Sequence, residues 1–60
     1  MLIVVCREDR NPDGTPGKYA LATRHVFWSL EEAEKYAATI SPSREPLIVM
    51  GDFQGLRFAN

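Results

Sequence analysis

The sequence predicts a small α+β domain of order β-β-α-β, with a short closing strand as an optional fifth element. Three observations point there. Two apolar runs rich in β-branched residues, Leu2 to Cys6 and Leu47 to Met50, read as buried strands. One amphipathic, well-capped stretch between them reads as a helix. A segment dense in Pro, Gly, Asp and Asn follows the first run and reads as a loop.

The first strand, Leu2-Ile3-Val4-Val5-Cys6, is apolar at every position and ends against Arg7, Glu8 and Asp9. Asp9 to Gly17 turns the chain. Lys18 to Phe27 resumes as a second strand, with Tyr19, Leu21 and Thr23 on one side and Ala20, Ala22 and Arg24 on the other. The simplest arrangement of these two strands is an antiparallel pair. Ser29-Leu30-Glu31-Glu32 is a capping box that opens the helix, and Trp28 is positioned to staple onto Ala33. Leu30, Ala33, Ala37 and Ile40 form its apolar stripe. The helix should end near Ile40 or Ser41, because Pro42 disfavours helical geometry in the residue before it. Leu47-Ile48-Val49-Met50 is the third strand, and Phe53 to Phe58 is the candidate closing strand.

A helix crossing between strands two and three sets those strands parallel, with a slot between them for strand one. The expected sheet order is 2-1-3, with the helix packed on one face. Residues 1–60 make a single domain, and a chain this short buries only about 60% of its unfolded surface. Cys6 is the only cysteine, so no internal disulfide forms, and His25 is the only histidine, so zinc-finger spacing is absent.

Seven Lys and Arg stand against eight Asp and Glu, a balance that argues against a dedicated nucleic-acid binder. The run Leu2 to Cys6 is too short for a signal region or a membrane span, and acidic residues follow at once. A cytoplasmic location is expected, which suits an unpaired thiol.

One helix covers one face of a sheet, yet strands one and three are apolar on both. The second face therefore requires cover: the tail, a second copy of the chain, or another protein. The leading expectation is a small non-enzymatic binding protein that acts by self-association, as a homodimer, or by protein contact. Its interface residues are expected to be Ile3, Val5, Ile48 and Met50 from the sheet, with Phe53, Leu56 and Phe58 from the tail. A free strand edge would add β-augmentation as a further mode. The alternative is a nucleic-acid-binding module using Arg7, Lys18, Tyr19 and Arg24, extended by Arg44 and Arg57. Against it, Glu8, Asp9, Asp13, Glu45 and Asp52 are interspersed among those positions.

Two smaller constellations contain residue types suited to chemistry. Asp9, Asn11, Asp13 and Gly14 match the opening of an EF-hand calcium loop. Gly17 and Ala20 occupy its ninth and twelfth positions, however, so the bidentate carboxylate is missing. Asp, Asn, Pro and Gly are also what a plain tight loop uses. The loop is expected to turn the chain, with no metal and no cofactor. Cys6 with His25 as base would be a nucleophile pair, but a thiol in the most apolar strand is expected to be inert core.

Overall fold

The computed structural model describes residues 1–51. In chain order it contains β1 (Leu2–Arg7), β2 (Tyr19–Leu21), α1 (Leu30–Ala37), a single 3₁₀ turn (Pro42–Arg44) and β3 (Leu47–Met50). The three strands form one antiparallel sheet of order β2-β1-β3, and α1 packs on it. The expected 2-1-3 order holds: β1, apolar throughout, is the central strand. The candidate closing strand, Phe53 to Phe58, lies outside the described residues.

Register decides which side chains share a face. Val5 stands opposite Leu21 and Arg7 opposite Tyr19 on one flank; Leu2 pairs with Met50 and Val5 with Leu47 on the other. Directly opposed residues point to the same side. The helix side therefore carries Leu2, Val4, Cys6, Ala20, Ile48 and Met50. The far side carries Ile3, Val5, Arg7, Tyr19, Leu21, Leu47 and Val49. This corrects the expected interface, which grouped Ile48 and Met50 with Ile3 and Val5. In a strand apolar at every position, the pattern leaves the register open, and the pairing set it one residue from that grouping.

A second correction concerns the far side itself. Ile3 and Val5 are only 1% and 5% exposed and form a core cluster with Leu21. Tyr19, Val26 and Val49 pack against that cluster. Ile3 and Val5 are therefore core residues within one molecule, not open interface.

Val26 reaches that position because the second strand breaks early. Ala22 still donates its N–H to the Val4 carbonyl at 2.9 Å, but Thr23 to Val26 then leave the sheet. Phe27 returns opposite Leu2, exchanging two backbone hydrogen bonds of 2.8 Å. Residues 23–26 thus stand against Ile3 alone, as an enlarged bulge.

The helix begins at the expected cap, with the Ser29 Oγ accepting from the Glu32 N–H at 3.2 Å, the hydroxyl half of the capping box. Glu31 and Glu32 sit in its first turn and Lys35 in its last, complementing the dipole. Ala33 is fully buried beneath the helix beside Val4 and Phe27, with Tyr36, Ala37 and Ile40 around them. The staple comes from Phe27 rather than Trp28. Paired with Leu2, Phe27 sends its ring toward Ala33 and Tyr36, and Trp28 is left 77% exposed. The last turn tightens into i→i+3 bonds at Thr39 and Ile40, and Pro42 opens the 3₁₀ turn.

Candidate functional site

The two ends of the sheet differ in chemistry. At the end where β1 finishes, the Arg7 guanidinium holds three segments together. Its Nε donates to Glu45 Oε2 at 2.6 Å and its Nη1 to the Gly17 carbonyl at 2.8 Å. Its central carbon lies 4.5 Å above the Tyr19 ring. Arg44 Nε donates in turn to the Arg7 carbonyl at 3.0 Å. Glu45 adopts left-handed geometry, φ 48° and ψ 61°, which costs a non-glycine residue about 1–2 kcal/mol. The ion pair with Arg7 is among the contacts that hold it there.

This geometry bears on the nucleic-acid residues. Arg7 and Tyr19 do come together, but Arg7 covers one face of the ring on which a base would stack. Arg24 lies on the bulge, roughly four residues or 13 Å further along the sheet. Lys18 is exposed beside Tyr19. Arg57 lies outside the described residues, as do Phe53, Leu56 and Phe58 from the protein-contact set.

In the loop, Asp13 and Asn11 turn inward on the chain. Asp13 Oδ1 accepts from the Thr15 hydroxyl at 2.6 Å and from its N–H at 3.0 Å. These bonds, the hydroxyl first, hold the Asp13 carboxyl below its ordinary value. Asn11 Nδ2 donates to Thr15 Oγ1 at 2.8 Å, and the Gly14 N–H closes onto the Asn11 carbonyl at 2.9 Å. Among the described residues, no three of His, Cys, Asp and Glu gather as a metal would require.

Cys6 is buried beside Ala20 and Ile40, at the floor of a shallow cleft of about 340 Å³ under the helix end. The cleft's polar walls serve the fold: the Tyr36 hydroxyl donates to the Ala22 carbonyl and the Thr39 hydroxyl to the Tyr36 carbonyl. His25 sits edge-on to Phe27, which is opposite Leu2, whereas Cys6 is opposite Ala20. Four residues of strand, roughly 13 Å, separate those two levels.

The other end of the sheet is apolar and open. Leu2 lies between Phe27 and Met50; Met1 and Gly51 form the next row outward, the Gly51 N–H bonding to the Met1 carbonyl, and Trp28 follows Phe27. Met1 is half-exposed, Trp28 is 77% exposed and Met50 83%. Leu30, at the first turn of α1, is 56% exposed. Leu47, opposite Val5 at the start of β3, is exposed as well but lies three residues from this end. Nothing in the sequence separates Trp28 from Phe27 as staple or surface; only the break in β2 does.

Among the described residues β3 is also an edge strand, and alternation fixes which of its backbone groups point outward. Leu2 and Val4 direct their main-chain bonds toward the β2 side, to Phe27 and Ala22. By alternation, Ile3 and Val5 bond toward β3, to Val49 and Leu47. Ile48 and Met50 therefore turn their N–H and C=O groups away from β1. Among the described residues, no strand lies beyond them. Also among these residues, no helix is long and apolar enough to cross a membrane.

No family model matches this chain, and comparison with curated proteins and with solved structures finds no match.

Proposed function

We propose that this chain is a small binding protein acting by self-association or protein contact, and that its contact surface is the apolar end of the sheet together with the β3 edge. The observation that carries the reading is the gathering of Met1, Trp28, Leu30 and Met50 at one end of a domain with so little surface. Scattered single apolar residues need no explanation; several large ones at one end of a sheet, next to a strand with no neighbour on its outer side among the described residues, do. Trp and Met are also among the residues enriched at the centres of interfaces. The reading is of a binder without catalysis, working in the cytoplasm, where the buried free thiol of Cys6 remains reduced.

Trp28 is the only tryptophan, so its fluorescence reports on this surface without labelling. The expected result is a rise in mass by light scattering as the protein is concentrated from the nanomolar to the high micromolar range; a blue shift of Trp28 emission in step with it would place the apolar end inside the contact. Emission and mass that both stay constant over that range remove self-association. A salt-sensitive response to single-stranded oligonucleotides, with no change on concentration, would shift the assignment to nucleic acid.

A further inference from the structure

We infer that two copies of this chain join edge to edge through β3, antiparallel, about a two-fold axis at Val49. This deepens the proposed self-association and rests on it. The outward backbone groups of β3 are two N–H and two C=O, on Ile48 and Met50. Placing the axis at Val49 sets Ile48 of one copy opposite Met50 of the other, and both such pairs exchange two hydrogen bonds. All four outward groups of each strand are then satisfied.

Neighbouring registers do less well. An axis at Ile48 sets Met50 opposite Pro46, which has no N–H to offer the Met50 carbonyl. An axis at Met50 sets Ile48 opposite the charged Asp52. In the Val49 register, no charged side chain falls within the paired strands, and the most exposed large apolar side chain, Met50, lies beside Ile48 of the second copy.

The opposite edge does not compete. β2 pairs over only three residues before Thr23 to Val26 bulge away, and Lys18 and Arg24 flank it. Such a bulge is an ordinary protection of an edge, and β3 has none within its span, its own Glu45 and Pro46 standing only before its first residue. Four paired residues per copy make a narrow contact, at the low end of specific interfaces, so the dimer should dissociate on dilution.

The test is a symmetric cross-link in the full chain with Cys6→Ala as background. Val49 of each copy faces the other in a pair without hydrogen bonds, where Cα atoms stand about 4.5 Å apart. Val49→Cys should therefore form a covalent dimer under mild oxidation. Leu47→Cys, on the same face, should not, because the two Leu47 positions lie roughly 13 Å apart in this register. Met50→Lys, at an exposed position that leaves the fold intact, should raise the concentration needed for dimerisation tenfold or more.

A dimer that cross-links as readily through Leu47→Cys, or that ignores Met50→Lys, would overturn edge pairing and leave self-association standing. A chain that stays monomeric at every concentration would overturn both.

Discussion

The two ends of this sheet are built on opposite terms. Where β1 finishes, charged and polar groups fold inward: Arg7 ties the loop, β2 and the lead-in to β3 into one knot. Where β1 begins, large apolar side chains stand in solvent around Leu2. Residues whose chemistry suits binding, an arginine over a tyrosine, serve the fold. Residues whose chemistry suits a core, a tryptophan and a methionine, remain outside it. Substitutions at the first end should act on stability, and substitutions at the second on association.

The largest effect at the knotted end is expected at Gly17. A Cβ there would collide with the Glu8 carbonyl oxygen and fall 2.5 Å from that of Asp9, both backbone. The chain cannot withdraw without disturbing the 2.8 Å bond from the Glu8 N–H to the Lys18 carbonyl. Gly17→Ala should cost about 1–3 kcal/mol, within the range for overpacking. In a domain this size, each kcal/mol lowers the melting temperature by roughly 4–8 °C. A circular-dichroism melt matching wild type would mean that the close approach is absent.

Arg7→Ala should come next, at about 1–2 kcal/mol. Its hydrogen bond to Gly17 contributes about 1 kcal/mol and the ring contact about 0.5–1. The Glu45 pair adds little, since that carboxylate is more than half exposed and screened. Arg7→Lys should recover only part of the loss, because an ammonium cannot reproduce the planar fork. The comparison sharpens if Arg7→Ala melts earlier yet dimerises at the wild-type concentration once folded. It breaks if association falls with it, since the two ends would then not be separable.

The smallest effect concerns Asp13. Its folded-state carboxyl is held below the ordinary value by Thr15, so its contribution is present at neutral pH. That contribution fades as pH falls from the ordinary carboxylate range through the lowered folded value. Asp13→Asn should flatten this part of the acid limb of the pH–stability curve and leave association at pH 7 untouched. An unchanged acid limb would mean that the Thr15 bonds do not persist in solution.

Much of the fold is written locally. The capping box at Ser29 and Glu32 announces the helix, and the unbroken apolar run of β1 announces a central strand. What stayed hidden depends on partners distant in sequence. An all-apolar strand carries no alternation to fix its register, so the sequence alone does not tell which side of β1 Ile48 and Met50 share. The burial of Ile3 and Val5 is not legible in the sequence because the bulge that brings Val26 over their cluster has no periodic signature. Arg7 resembled a phosphate contact because its partners, Gly17 and Glu45, lie ten and 38 positions away.

The detour at Thr23 to Val26 also governs where this chain can tolerate a change of length. Extra residues placed between Arg24 and His25, both exposed, would lengthen a segment that already departs from the ladder. A single residue inserted within β3 would instead exchange the two sides of everything beyond it, sending Val49 toward the helix and Ile48 away. Two sites some twenty-five positions apart thus differ sharply in how forgiving they are: a peptide epitope grafted at the first should leave the molecule folded, and one grafted at the second should not.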